Sequence, residues 1–398
     1  MKITGVDVII CKPNIMGKVV CVRVRTDEGI EGYGEVGLSY GRAYHAGIGS
    51  ARDLAELVLG RDPFDTERIW EEIFRTTFWH LGGGVVVNAG LSAIDTALWD
   101  IKGKALGLPV WKLLGGRSRE RIRAYASQLQ FDWDETHKNL TEPKEYAAAV
   151  KKALAQGYTA IKVDPVGVTE RGVWAREAND PDWQLRGKIS SKLLQTARNR
   201  LAAMRQAGGE ELDIIVELHA YTDAVTAVQL GEAIRDLNVY YYEEPVHPLN
   251  VKNMLAVREK LSLPIATGER LTTRFGFRPF LESGAVQVVQ PDVNVAGGIT
   301  ETKKICDMAN VYDASVQLHV CGGPIGTAAS LQLEAVLPNF LIHEVHAGAI
   351  KPDMRALGKY DIQPVNGAYT LPEAAGIGQE LSERALAEAE ILTVGTQA

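Results

Sequence analysis

The chain has 398 residues, of which 46% are hydrophobic and 23% are charged. These fractions are typical of globular domains, and they exclude a chain that is disordered throughout. There are 43 Lys and Arg residues against 50 Asp and Glu, so the net charge is −7. This balance excludes a general nucleic-acid binder, which needs a dense basic face. The apolar stretches are too short to span a membrane.

The N-terminus does not have the pattern of a signal peptide. The four cysteines form neither a CxxC pair nor a cluster with metal-ligand spacing. We therefore expect a cytoplasmic protein with reduced thiols.

The first part of the chain predicts an α+β domain. Residues 2–11 and 19–36 contain alternating β-branched runs separated by turn segments, which indicates an antiparallel meander. From Arg42 onward, apolar residues recur at spacings of three and four, which predicts helices. Gly107 and Pro109 end the longest of these helices. We place this domain at residues 1–118 and expect residues 355–398, with the alternating piece KYDIQPV, to return to it.

Eight β-rich segments follow, each separated from the next by a helix-length gap: RIRAYAS, TAIKV, DIIVEL, VYYYEEP, PIATGE, VQVVQPD, SVQLHV and FLIHEV. Alternation of strands and helices implies parallel strands, and eight such units predict a closed βα barrel, here residues 119–354. A doubly wound open sheet is the alternative, but no glycine-rich phosphate turn follows the first strand.

Ionisable residues end strands two to eight of this barrel, at the side where barrel enzymes carry their chemistry. Glu217, Glu243 and Glu269 are separated by equal steps of 26 residues (243 − 217 and 269 − 243). Equal steps place them at one height on three adjacent strands. Carboxylates that lie so close together either take up a proton or bind a cation. Carboxylate oxygens are ligands that suit Mg²⁺. We expect Glu244 to point away from the cation, because neighbouring residues of a strand face opposite ways.

Two histidines also stand at these strand ends. Asp292 and His319 follow neighbouring strands, and an Asp beside a His fixes its tautomer and raises its basicity, as a general base requires. His219 lies two residues after Glu217 and therefore faces the same side. Because strands three and seven lie opposite each other in an eight-stranded barrel, one histidine could remove a proton while the other protonates a leaving group.

These motifs, ELH, EEP, TGER, QPD, LHV and HE in this order, together with the stretch AIDTALWDIKGKALGLPVWKLLGG, resemble the enolase superfamily in its mandelate racemase subgroup. The resemblance covers nearly the whole chain. It implies an α/β fold: a (β/α)7β TIM-like barrel with an α+β capping domain formed by the N-terminal part and the C-terminal tail. It also implies Mg²⁺ on the three glutamates, a His319–Asp292 dyad, and Glu344 hydrogen-bonded to a substrate oxygen.

Two positions depart from the pattern of this subgroup. The first metal ligand, usually Asp, is Glu217 here, which keeps the oxygen donor. The second Lys of a Lys-x-Lys motif, the base for the opposite face, is replaced here by Asp164, two residues after Lys162. The chain therefore lacks one base of a two-base racemase. His219 resembles the general acid of galactonate and mannonate dehydratases, and the long insert after strand two, with Trp174 and Trp183, also resembles acid-sugar dehydratases.

We therefore predict a Mg²⁺-dependent hydro-lyase that dehydrates an aldonic or aldaric acid to a 2-keto-3-deoxy acid. In this hypothesis Lys162 helps stabilise the carboxylate charge, His319 takes the C2 proton and His219 protonates the C3 hydroxyl as it leaves. The alternatives are a racemase, epimerase or cycloisomerase of the same superfamily, or a catalytically silent member.

Substrate specificity is expected to come from mobile loops of the capping domain. The candidate segments are the loop at residues 14–18 and residues 76–84. The candidate substrate contacts are Asp164, Arg270, Trp79, His80 and His346. The expected partner is a small sugar acid, with no nucleic acid and no membrane, and the resemblance implies a homo-oligomer.

Overall fold

The computed structural model describes residues 1–13, 17–38, 40–175, 185 and 187–396. Its strands are β1 (Ile3–Cys11), β2 (Val19–Thr26), β3 (Glu31–Val36), β4 (Arg121–Ser127), β5 (Ala160–Val163), β6 (Asp213–Glu217), β7 (Val239–Glu243), β8 (Ile265–Thr267), β9 (Val288–Val289), β10 (Ser315–Val316), β11 (His343–His346), β12 (Ala368–Thr370) and β13 (Glu390–Gly395).

Its α-helices are α1 (Tyr44–Ala55), α2 (Thr66–Thr76), α3 (Val85–Leu106), α4 (Val110–Leu113), α5 (Pro143–Ala155), α6 (Ser191–Gly208), α7 (Ala224–Ala233), α8 (Val251–Lys260), α9 (Thr273–Glu282), α10 (Gly298–Val311), α11 (Pro324–Glu334), α12 (Pro352–Arg355) and α13 (Glu383–Glu388). None of these helices is both long enough and apolar enough to cross a membrane.

The first sheet is antiparallel and has the order β13-β1-β2-β3. The side chains of β1 alternate between two hydrophobic cores, as a pleated strand requires. Val6 and Val8 pack with α1, α2 and α3, whereas Ile9 and Cys11 join the larger core that includes the barrel. The sheet therefore has one face on its own helices and the other toward the barrel.

The C-terminal tail is divided between the two sheets. β13 pairs with β1 of the first sheet, but β12 pairs antiparallel with the barrel strand β4. The piece KYDIQPV, at residues 359–365, contains no strand of its own. Part of the tail therefore attaches to the barrel rather than to the first sheet, because the apolar Tyr369 of β12 packs into the barrel core.

The helix α3 connects the first domain to the barrel. It ends where the sequence predicts, at Gly107, whose φ of +67° is a left-handed helix cap that glycine adopts without strain. On its barrel side, the carboxylate of Asp95 accepts hydrogen bonds from the backbone and the hydroxyl of Thr300 in α10, at 2.9 and 2.6 Å. These buried polar contacts fix the first domain across the barrel.

The second sheet contains the eight predicted barrel strands in the order β10-β9-β8-β7-β6-β5-β4-β11, all parallel. A parallel bridge between Val316 and Phe340, just before β11, closes the ring. The register aligns Glu217 with Glu243 across β6 and β7. The fold is thus a TIM-like barrel with an α+β capping domain.

Candidate active site

A cavity of about 810 Å³ lies at the end of the barrel where the parallel strands finish. Barrel residues form its floor, and residues of the capping domain, among them Leu38, Tyr40 and Val85, contribute to its wall. Polar side chains meet here because the carboxyl ends of parallel strands share one edge. His219, Glu269, Asp292, His319 and the two predicted contacts Arg270 and His346 all line it.

His319 and Asp292 form the contact that their sequence positions predict. The Nδ1 atom of His319 lies 2.8 Å from Oδ2 of Asp292. The other oxygen of Asp292 accepts a hydrogen bond from the backbone of Asn294 at 2.7 Å, which fixes the carboxylate. Nε2 of His319, 3.3 Å from Glu269, is the ring nitrogen left for a substrate.

The charge state of His319 reflects these neighbours. Burial lowers its pKa, but Glu269 and Asp292 outweigh burial and raise the pKa to about 10. Glu269 responds in the opposite sense: burial raises its pKa, whereas Arg270 and His319 lower it to about 2. The two carboxylates therefore favour the protonated form of His319.

His219 makes the equivalent contact on the opposite side of the barrel. Its Nδ1 atom lies 2.8 Å from Oδ2 of Asp164, and Asp164 is fully buried with its other oxygen bonded to the backbone of Val166. The structure does not support our expectation that Asp164 touches the substrate, because the carboxylate contacts the imidazole and does not line the cavity. Asp164 instead orients His219, as Asp292 orients His319.

Lys162 lies beneath the cavity and does not face it. Only 1% of its side chain is exposed, and its Nζ atom lies 2.7 Å from Glu243, 2.8 Å from Glu344 and 3.3 Å from Glu217. Burial lowers the pKa of Lys162, but these carboxylates raise it well above its ordinary value. Lys162 is therefore a fixed positive charge that holds three carboxylates together.

Glu344 is also held by protein groups. Its oxygens accept hydrogen bonds from Ser127 at 2.6 Å, from the Lys162 ammonium, and from the backbone of Val320 at 3.0 Å. Burial raises its pKa, but Lys162 and His319 outweigh burial and hold the pKa far below its ordinary value. Glu344 is not among the residues that line the cavity, so the substrate contact that the resemblance implies stays a prediction.

Three carboxylates come close enough together to share a metal ion, but they are not the predicted three. Oxygen atoms of Glu217, Glu244 and Glu269 lie within 4.8 Å of one another. Our expectation that Glu244 points away is wrong, because β7 ends at Glu243 and strand alternation no longer applies to the next residue. Glu244 has a left-handed φ of +41°, and its carboxylate pairs with Arg270.

The donor set fits a hard divalent cation. Glu217, Glu243 and Glu244 each have one buried oxygen that accepts no hydrogen bond from the described residues. Burial raises the pKa of all three, and that of Glu244 reaches about 7. Ligand oxygens of one Mg²⁺ lie about 2.0–2.1 Å from the ion, hence at most about 4.2 Å apart, and the oxygens of Glu217, Glu244 and Glu269 lie within 4.8 Å of one another.

Several cavity residues were not predicted from the sequence. Gln128 follows β4 and donates a hydrogen bond to Glu217 at 2.9 Å, and Phe131, His137 and Asn139 line the cavity from the same loop. Neutral residues after a strand carry no signal that distinguishes them from ordinary loop residues. Trp174, in the long insert after strand two, also lines the cavity.

Other expected contacts lie elsewhere. Trp79 is 78% exposed, and His80 is buried with its Nε2 atom 3.0 Å from Asn88. Neither lines the cavity, so the structure does not support a substrate contact for either. Residues 14–16 of the candidate loop and Trp183 lie outside the described part of the chain.

Comparison with known families agrees with this architecture. Residues 14–115 match the N-terminal domain of mandelate racemases and muconate lactonizing enzymes, and residues 145–385 match the enolase C-terminal domain-like family. The chain belongs to the enolase superfamily. A superfamily member from Salmonella Typhimurium has a solved structure that is 50% identical, covers 99% of both chains and superposes with a TM-score of 0.95.

Two curated relatives of this enolase superfamily protein have named activities. A D-galactonate dehydratase from Pectobacterium atrosepticum is 32% identical over 98% of this chain and 94% of its own. A D-gluconate dehydratase from Thermoproteus tenax is 31% identical over 92% of this chain and 69% of its own.

Proposed function

We propose that this enolase superfamily protein is a Mg²⁺-dependent hydro-lyase that converts an aldonic or aldaric acid to a 2-keto-3-deoxy acid. One observation carries the proposal: two His–Asp pairs with the same 2.8 Å contact face one cavity from β6 and β10. These strands are four steps apart in an eight-stranded ring and therefore lie opposite each other. The dehydratase names of the relatives support the same reaction class.

Glu217, Glu243 and Glu269 are the proposed ligands of the cation, with Glu244 as the alternative third ligand. The strand register and the equal spacing favour Glu243, and its second oxygen is buried and accepts no hydrogen bond from the part of the chain that the structure describes. When bound, the cation would stabilise charge that develops on the substrate carboxylate and oppose protonation of His319.

His319 is the proposed general base. Asp292 fixes the tautomer through Nδ1, so Nε2 faces the cavity and takes the proton from C2 of the acid. The electron pair of the broken carbon–hydrogen bond is delocalised into the adjacent carboxylate. A positioned general base of this kind typically contributes about 10²–10⁴-fold to the rate.

His219 is the proposed general acid. Asp164 stabilises its protonated form, and the Nε2 proton passes to the C3 hydroxyl, which leaves as water when the carbon–oxygen bond breaks. The resulting enol tautomerises to the 2-keto acid, so atoms and charge balance. Lys162 and Glu344 act as positioning residues that fix the carboxylates beneath the reacting atoms.

A stereochemical panel of aldonic and aldaric acids tests the proposal. Purified protein with Mg²⁺ is incubated with each acid, and 2-keto acid is quantified, with the His319→Asn variant as control. Formation of a 2-keto-3-deoxy acid by the wild type and not by the variant supports the proposal. Exchange or inversion at C2 without 2-keto acid would replace it with an epimerase, and no reaction with any acid would contradict it.

A further inference from the structure

The chain forms a short hairpin between β5 and α6, directly after Asp164. Val168 and Trp174 form an antiparallel bridge, and the backbone of Ala175 donates to Gly167 at 2.9 Å. A second backbone hydrogen bond joins Thr169 to Val173, also at 2.9 Å. The hairpin, residues 167–175, therefore returns Trp174 to the neighbourhood of the Asp164–His219 pair.

Trp174 packs directly against the imidazole of His219. The two ring centroids are 5.5 Å apart and the planes meet at 82°, an edge-to-face arrangement. The indole also meets Phe131 at 5.0 Å and 64°, and only 6% of Trp174 is exposed. His219 is therefore in contact with Asp164 through Nδ1 and with Trp174 through its ring.

The capping domain contributes a contact that fixes the indole. Nε1 of Trp174 donates a hydrogen bond to the Tyr40 hydroxyl at 3.0 Å. Tyr40 follows β3 of the capping sheet and lines the cavity with Trp174. This hydrogen bond links the capping domain to the barrel residue that touches His219.

Gly167 shows how closely these groups are packed. A Cβ atom at this position would lie 2.2 Å from Cζ3 of Trp174 and 2.8 Å from Oδ2 of Asp164. Any other residue would therefore displace the indole, the carboxylate, or both. The absence of a side chain lets Asp164 and Trp174 approach each other while both contact His219.

We propose that Trp174, fixed by Tyr40, is a positioning residue for the general acid His219. The proposal rests on the acid role assigned above and extends it to the capping domain. Loss of the indole frees the imidazole to tilt away from the C3 hydroxyl, and misplacement by about 1 Å costs on the order of 10²-fold in rate. The His319–Asp292 pair is on the opposite side of the barrel, so proton removal from C2 is unaffected.

The test compares dehydration with exchange of the C2 proton in D₂O for the acid that the wild type converts. Trp174→Ala removes the packing contact, and Trp174→Phe and Tyr40→Phe each remove the same hydrogen bond. We expect Trp174→Ala to lower dehydration by about 10- to 100-fold and the other two variants by about 2- to 10-fold. C2 exchange stays near the wild-type rate in all three.

Trp133→Phe is the matched control. Trp133 is a fully buried indole that donates to Gln156 at 3.0 Å, outside the cavity. Its replacement removes an indole hydrogen bond without changing the ratio of dehydration to exchange. Equal loss of both rates in the Trp174 variants, or no loss of either, would overturn the proposal.

A second measurement does not depend on turnover. The Nδ1–H proton of His219, bonded to Asp164, is followed by NMR in protein labelled at histidine nitrogen. In Trp174→Ala this signal should broaden or shift while the His319 signal is unchanged. An unchanged His219 signal overturns the positioning role, whereas absence of turnover by the wild type counts only against the proposed function.

Discussion

The imidazole of His219 is oriented by Asp164, whose Oδ2 atom lies 2.8 Å from Nδ1 of the histidine. Asp164 stands where the racemase pattern has its second base, and it is the residue that contacts the proposed general acid His219. The two halves of the proposed elimination can therefore be perturbed separately, one at each His–Asp pair.

Replacing Asp164 by Asn should affect only the second step of the proposed elimination, the protonation of the leaving C3 hydroxyl. The amide no longer stabilises a protonated imidazole, so we expect dehydration to fall by about 10²-fold or more, with C2 exchange retained. Asp292→Asn is the matched variant and should lower both rates. Steady-state assays with NMR detection of deuterium at C2 measure the two rates, and a parallel loss of both in Asp164→Asn would contradict the assignment.

The metal ligands can be identified by calorimetric titration with Mg²⁺. Glu217→Gln and Glu269→Gln should weaken binding by at least about 10-fold, because each removes an anionic oxygen donor. We expect Glu243→Gln to behave in the same way and Glu244→Gln to have a smaller effect, because the strand register aligns Glu243, and not Glu244, with Glu217. The reverse order for the last two variants would make Glu244 the third ligand.

Glu35 should make stability depend on pH. It is fully buried and accepts hydrogen bonds from the backbones of Gly323 and Gly326 at the start of α11. Burial raises its pKa from 4.5 to about 7, against the opposing effect of those hydrogen bonds. The folded protein therefore binds this proton more tightly than the unfolded chain, and the contribution to stability is lost as the pH rises from about 4.5 to 7.

The comparison of thermal unfolding at pH 5 and pH 7 measures this effect. Glu35→Gln should flatten the dependence, because an amide does not titrate, whereas Glu71→Gln, an exposed carboxylate paired with Arg75, should leave it unchanged. An unchanged dependence in Glu35→Gln would show that other groups are responsible.

Substitution of Trp79 tests whether the substrate contacts lie only within the cavity. Because Trp79 is 78% exposed and does not line the cavity, Trp79→Ala should leave KM and kcat within about twofold of the wild type. Steady-state kinetics on the identified acid measure both constants. A tenfold rise in KM would instead indicate that Trp79 contacts the substrate.

Most of the barrel could be predicted because its signal is local. Each of strands two to eight is a short apolar run with an ionisable residue at its end, and the equal spacing of Glu217, Glu243 and Glu269 follows from one βα unit per step. The pairing of Asp292 with His319 could be predicted because the two residues end neighbouring strands.

The remaining features depend on contacts that local patterns do not contain. Asp164 was assigned to the substrate because its partner, His219, lies 55 residues away (219 − 164) and beyond a long insert. The position of Glu244 depends on a left-handed φ after the strand end, which no residue type at that position signals. Trp174 approaches His219 only through the hairpin and the space that Gly167 leaves.

The most direct test of the two-pair account is C2 deuterium incorporation in D₂O by the His219→Asn and His319→Asn variants, measured on the acid that the wild type dehydrates. We expect His219→Asn to exchange the C2 proton without releasing 2-keto acid, and His319→Asn to do neither. Wild-type dehydration by His219→Asn, or C2 exchange by His319→Asn, would contradict it.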